Sequence, residues 1–178
     1  RRANALGMRV MIDFHYSDTW ADPGAQITPA AWADMNITEL CNAVSNHTKE
    51  MLEKLKKFGV EPEWVQVGNE TRGGMLYPLG SASNGKNYAD LVNAGYDAVK
   101  SVFADAQVII HLDGGDRLSL YTYIFDILKT NGGKYDMIGM SLYPETDTWS
   151  SMVSSCIGNI NTISLKYGKP VMICEVGM

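Results

Sequence analysis

Cysteine is scarce and poorly spaced for metal binding. The chain has 178 residues and three cysteines, Cys41, Cys156 and Cys174, all far apart. No Cys-x-x-Cys pair or other zinc pattern exists. The odd count reads as three small buried apolar residues, with one disulfide and a spare thiol as the alternative. Positive charge is also short: 15 Lys and Arg face 20 Asp and Glu, for a net charge of −5. A nucleic-acid partner needs a basic stripe to displace counterions, and none is present. No apolar run approaches the roughly 20 residues of a membrane span. No Gly-x-Gly-x-x-Gly or P-loop follows any β-rich run, which weakens a nucleotide-binding reading. The chain opens Arg1-Arg2-Ala3-Asn4, without the apolar stretch of a secretion signal. Any targeting information is therefore expected to have been removed or to lie outside this piece.

What is present is globular. Hydrophobic residues make up 46% and charged residues 20%, ordinary proportions for one sizeable core. Apolar and aromatic residues are spread along the whole length, which excludes intrinsic disorder. The ten methionines do not recur at helical spacing and read as core filling.

Short β-rich runs alternate with longer amphipathic stretches. The runs are Met8 to Phe14, Trp64 to Gly68, Gln107 to Leu112, Met137 to Leu142 and Val171 to Cys174. Each is nearly continuously apolar, as parallel strands covered on both faces are. Between them, apolar residues lie along helical faces. Thr28-Pro29 reads as a helix start, and Gly59, Gly132 and Gly168 read as stops. Leu40, Val44, Met51, Leu52, Leu55 and Phe58 make the first face. Leu91, Val92, Tyr96, Val99 and Phe103 make the second, and Leu120, Ile124, Ile127 and Leu128 the third. Met152, Val153, Ile157, Ile160 and Ile163 make the fourth. Such alternation without hairpin signals predicts an α/β fold with a parallel sheet.

Polar, ionisable and aromatic residues collect at the strand ends. Asp13, His15, Tyr16 and Asp18 follow the first run, Asn69 and Glu70 the second, and Asp113 and Asp116 the third. Tyr143 follows the fourth and Glu175 the fifth. A (β/α)8 TIM barrel carries its active site on that face. Such a barrel needs eight strands and the sequence shows five. The chain is therefore expected to be a partial barrel covering about strands 3 to 7, one catalytic-domain fragment over residues 1–178.

Glu70 and Glu175 end strands three steps apart, which in a curved barrel places them across the mouth. A lone strand-end Glu is commonly a solvated loop residue. A facing pair is what glycoside hydrolysis uses: one carboxyl protonated to release the leaving oxygen, the other ionised to attack or to activate water.

The run Asp13-Phe14-His15-Tyr16-Ser17-Asp18-Thr19-Trp20-Ala21-Asp22-Pro23-Gly24 resembles the segment after the third strand of the family 53 glycoside hydrolases, the endo-β-1,4-galactanases. Val67-Gly68-Asn69-Glu70, Gly74-Met75-Leu76-Tyr77-Pro78-Leu79-Gly80, His111-Leu112-Asp113, Ser141-Leu142-Tyr143-Pro144 and Val171-Met172-Ile173-Cys174-Glu175 continue the resemblance in order. It implies a retaining enzyme cutting internal β-1,4 bonds of galactan, with Glu70 as acid/base and Glu175 as nucleophile. It further implies that Asn69 binds the sugar 2-hydroxyl and that Tyr143 keeps Glu175 ionised. Thr71, Tyr77 and Val176 depart from residues common in the family, and Tyr77 could alter a stacking surface. The long first run argues against a β-mannanase or β-glucanase of the same barrel group. A truncated fragment without turnover is the other alternative.

Trp20 and Trp149 are candidate stacking platforms for galactose, with loop packing as the competing reading. Asp13, His15 and Asp18 are candidates for a polar rim or for support behind it. Asp113 reads as a substrate contact and Asp116 as a helix cap. Trp32 and Trp64 read as core. The Asn-x-Thr triplets at Asn36, Asn46 and Asn69 read as chance, or for the first two as glycan acceptors in a eukaryotic host. No cofactor is expected, because the two carboxylates supply acid/base and covalent catalysis, and no metal, because His15 and Asp18 have no third ligand at matching spacing. The expected protein is a secreted or cell-envelope monomer acting on β-1,4-galactan.

Overall fold

The computed structural model describes residues 1–177. Five strands form one sheet: β1 (Met11–Phe14), β2 (Trp64–Val67), β3 (Gln107–Leu112), β4 (Met137–Leu142) and β5 (Val171–Val176). Every pairing is parallel and the spatial order is the chain order. An open doubly wound sheet reverses its strand order at a switch point. Unbroken sequential order is that of a barrel wall.

The helices are α1 (Arg2–Ala5), α2 (Ile37–Lys57), α3 (Gly85–Val102), α4 (Leu118–Thr130) and α5 (Trp149–Tyr167), with a 3-10 turn at Ala30–Trp32. Helices α2 to α5 make the crossovers. All six residues of β4 and five of the six in β3 are buried, as a strand covered on both faces requires. The main core lies between sheet and helices, around Leu40, Val65, Leu91, Ile110, Phe125 and Ile138.

Several boundaries differ from the sequence reading. β1 begins at Met11, and Met8 is exposed. β5 runs to Val176, so Glu175 lies within the strand. Thr28-Pro29 opens only the 3-10 turn. The long helix starts eight residues later, where Asn36 and Glu39 form a reciprocal capping box. Asn36 thus serves as a helix cap. Arg117, not Asp116, precedes α4, and no side chain caps that helix. Met51, Phe58 and Ile157 are exposed although they belong to the expected faces. Cys156 and Asn159 are buried on α5 instead. Trp32 is half-buried against the core, and Trp64 is half-buried under the Arg9 guanidinium, 4.2 Å from its ring centroid. All three cysteines are free.

Candidate active site

The sheet delivers polar side chains to one end through short interruptions of apolar strands. Gln66 sits in β2, His111 in β3 and Ser141 in β4, each at most 1% exposed. Such groups are tolerated in a core only when hydrogen-bonded. Beyond Val67 the chain turns sharply through Gly68 at φ +84° and Glu70 at φ +48°. The Thr71 N–H then donates to the His111 carbonyl at 2.9 Å. Glu70 is thereby held beside the next strands instead of running out into solvent.

A register shift between Met140 and Ser141 brings in the second glutamate. Met140 pairs with Ile173, but Ser141 pairs with Glu175, so Cys174 is skipped. A bulge of this kind re-aims side chains beside sites. Glu175 and Glu70 then line one cleft of about 390 Å³ with Trp20, Asp113, Arg117 and Tyr143.

The two glutamates have different surroundings. Burial pushes the Glu70 carboxyl up from its ordinary range and the Glu175 charge adds to it, while a hydrogen bond donated by Ser141 would oppose the rise. Ser141 Oγ lies 2.6 Å from Glu70 Oε1, a bond it donates when Glu70 is ionised. Glu175 accepts a 2.8 Å hydrogen bond from the Tyr143 hydroxyl.

Behind the glutamates, His111 contacts Ser141 through Nε2 at 2.8 Å and Asn69 Oδ1 through Nδ1 at 2.9 Å. Burial lowers its pKa to about 4, against the opposing pull of Glu175. Asn69 donates from Nδ2 to the Ala21 carbonyl at 2.8 Å. It is 1% exposed. Both ends of its amide are engaged, which leaves one N–H and almost no surface for a sugar hydroxyl.

The remaining candidates divide into two groups. Asp113 lines the cleft and pairs with Arg72 at 3.0 Å, while its other oxygen is buried without a partner. Burial raises its pKa and Arg72 opposes the rise. Asp116 also lines the cleft. Trp20 stands over it, 71% exposed, edge-on to His15. Trp149, the exposed first residue of α5, is not among the lining residues.

Asp13, His15 and Asp18 line a neighbouring groove along β1 with Trp32 and Met51, and the Glu175 charge reaches Asp13. Asp13 pairs with His15 at 3.1 Å, and His15 accepts from the Ala21 N–H. Burial raises the Asp13 pKa. Asp18 accepts from the Ala30 N–H at 2.8 Å and so ties down its loop. The structure gives Asp18 a supporting place and does not bring it to the glutamates.

Ser141, His111 and Arg72 were not singled out from the sequence as site residues. The signal for the first two was their own position: polar residues inside the apolar stretches Met-Ile-Gly-Met-Ser-Leu and Val-Ile-Ile-His-Leu.

Sequential parallel strands with two glutamates in one strand-end cleft define a segment of a (β/α)8 barrel of the glycosidase type. A model of glycosyl hydrolase family 53 matches residues 1–178, and the chain belongs to that family. It is 37% identical over 184 residues to a probable arabinogalactan endo-β-1,4-galactanase A of Aspergillus terreus, covering 98% of this chain and 52% of that protein. It is 34% identical over 175 residues to an endo-β-1,4-galactanase of Bacillus subtilis, covering 98% of this chain and 39% of that one. Among solved structures, a fungal β-1,4-galactanase superposes with a TM-score of 0.91 at 32% identity, over 99% of this chain and 54% of that chain. The fold is therefore that of a partial TIM barrel. The chain spans about half the length, or less, of these relatives.

Proposed function

We propose that the protein carrying this chain is a retaining endo-β-1,4-galactanase, with Glu70 as acid/base and Glu175 as nucleophile. The observation that carries this reading is the difference between two carboxyls in one cleft. Glu70 is biased toward its neutral form, and Glu175 holds a donated hydrogen bond. That division gives one proton donor and one attacking carboxylate. In the first step Glu175 attacks the anomeric carbon while Glu70 protonates the departing oxygen. In the second, Glu70 takes a proton from water as that water displaces Glu175. Retention corresponds to a carboxyl separation of about 5–5.5 Å. Galactan as substrate is supported by the names of the relatives, and exposed Trp20 supplies a face for the apolar side of a sugar. On this reading the enzyme is a secreted, monomeric single-domain barrel that degrades pectic galactan.

The test is digestion of β-1,4-galactan by the full-length protein, with mannan and glucan beside it and chromatography of the products. Galactan fragments of mixed length are expected; cleavage confined to mannan or glucan overturns the substrate. Glu70→Gln should slow galactan cleavage by roughly 10²–10⁴-fold, and an aryl galactoside with a good leaving group should be less affected. Equal losses on both would remove Glu70 from the acid role. A 2-fluoro-galactoside should label Glu175, and a label elsewhere would refute the nucleophile.

A further inference from the structure

We propose that Asn69, His111 and Ser141 form a one-way hydrogen-bond relay that holds Glu70 in its protonated form between turnovers. The proposal rests on the reading of Glu70 as the acid. It makes His111 and Ser141 positioning residues for the proton, although neither reaches the substrate.

The direction of the relay is set at its far end. The Ala21 carbonyl can only accept, so the Asn69 amide must turn its NH2 toward it. Asn69 Oδ1 is then an acceptor facing His111 Nδ1 at 2.9 Å. Nδ1 must carry the ring proton, because two bare acceptors at that distance would repel. His111 is wholly buried. Burial keeps it neutral, so Nε2 is the ring's bare nitrogen. Its neighbour at 2.8 Å is Ser141 Oγ, which has a single proton to give. Once that proton points at Nε2, Ser141 meets Glu70 with a lone pair. The 2.6 Å contact between Ser141 Oγ and Glu70 Oε1 then needs a proton from Glu70.

As oriented in the structure, Gln66 turns its NH2 toward His111 Nδ1 and donates to Asp13, so the relay requires that amide to rotate. It approaches His111 Nδ1 at 3.3 Å, and its own Oε1 is buried without a partner. Half a turn of that amide offers Oε1 to Nδ1–H as a second acceptor. Asn69 has no such freedom, because the reverse orientation sets oxygen against the Ala21 oxygen.

When Glu70 loses its proton to the leaving group, the Ser141 hydroxyl swings to the new carboxylate. His111 Nε2 is left buried with no donor, which is unfavourable. The relay is restored in the second step. The water O–H bond breaks, the proton goes to Glu70, and the water oxygen bonds to the anomeric carbon as the Glu175 ester bond breaks. The charged groups around Glu70 push the same way: Glu175 on β5, Asp113 after β3 and Asp22 after β1 all disfavour its ionised form. Arg72 is committed to Asp113.

The relay reverses the usual effect of a serine beside a carboxylate. A free hydroxyl donates to the ionised form and lowers the pKa. A hydroxyl already committed to His111 can only accept, which favours the neutral acid. Ser141→Ala separates the two. In the full-length protein, the carbon-13 carboxyl titration of Glu70 and the basic limb of kcat/KM should both move to lower pH, by about one unit. Movement to higher pH, or none, overturns the relay. If that variant does not fold, nitrogen-15 spectra of the wild type decide the matter. His111 should appear as the neutral ring protonated on Nδ1, and a ring protonated on Nε2 refutes the proposal. The carboxyl titration and the ring spectra need no substrate. A protein that fails to cut galactan would therefore remove the functional reading while these spectra still judge the relay.

Discussion

Glu70 has a left-handed backbone, φ +48°, that a residue with a Cβ adopts at a cost of roughly 1–2 kcal/mol. The turn that imposes it also carries the carboxyl into the cleft, so strain and placement have one origin. The cost can be separated from the chemistry by comparing two variants that both lack the carboxyl. Glu70→Gly should unfold about 1 kcal/mol later than Glu70→Ala in urea, because only glycine relieves the φ angle. Equal stability of the two would show that the turn is unstrained. At Tyr143 resemblance and geometry agree on a contact: a hydroxyl beside the second glutamate was expected, and the Tyr143 hydroxyl donates to Glu175 at 2.8 Å. Asn69 illustrates the opposite. The sugar contact implied by resemblance has little surface to act through, since the amide is bound at both ends.

Among the elements, α2 shows why helix starts are hard to read. Thr28-Pro29 has the residue types of a start, but the side chains that satisfy the orphan N–H groups are Asn36 and Glu39. A capping box depends on a pair three residues apart, and that pair contributes about 1 kcal/mol. Helix α3 shows a constraint that no helical pattern reveals. A Cβ on Gly95 would lie 2.5 Å from Val67 Cγ1, so the helix backbone rests directly on β2. Gly95→Ala should therefore destabilise the protein by about 1–3 kcal/mol, despite a gain of roughly 0.5–1 kcal/mol in helix propensity. Denaturant unfolding of the full-length protein checks the sign, and a stabilised variant would mean that the contact relaxes freely. Because β2 leads directly into Glu70, the same variant should also weaken activity.

At the scale of the whole molecule, both sheet ends and pH matter. Among the described residues, β1 and β5 each pair on one side only. Ile173 and Val176 on β5 are exposed, and a groove beside β1 is lined by Ile12, Trp32, Met51 and Leu55. A closed barrel pairs every strand. At about 25 cal/mol per Å², a few hundred Å² of open apolar surface removes most of a domain's margin of roughly 5–15 kcal/mol. Residues 1–178 expressed alone should therefore lack both a cooperative melt and galactan turnover; finding both would contradict this expectation. The pH dependence follows from His111, whose pKa falls from 6.5 to about 4 on folding. The stability this gives is full above pH 6.5 and is lost as pH falls toward 4, on the order of 3 kcal/mol in all. Glu70 and Asp113, with raised pKa values, act in reverse: they favour the folded state most in acid and less as pH rises. The histidine spectrum should show one ring that stays neutral well below pH 6.5 in the folded protein. A ring that titrates near 6.5 at this position would end the argument.

The strands, their parallel class and the two glutamates were legible in the sequence for local reasons. Buried parallel strands must be apolar throughout, and a carboxylate directly after such a run breaks the pattern visibly. The resemblance to a family was legible because one long run of polar and aromatic residues has little chance of arising twice. The bond network was not legible, because directly bonded partners lie up to 71 positions apart, as Ser141 and Glu70 do. Only the tertiary structure decided that Asp13, His15 and Asp18 line a groove beside the glutamate cleft, with Asp13 near enough to feel the Glu175 charge. Strand alternation says which residues end a strand, but not which way each following loop turns. The pairing of Ser141 with Glu175 was decided the same way, since a one-residue register shift between strands leaves no mark on either strand's own sequence.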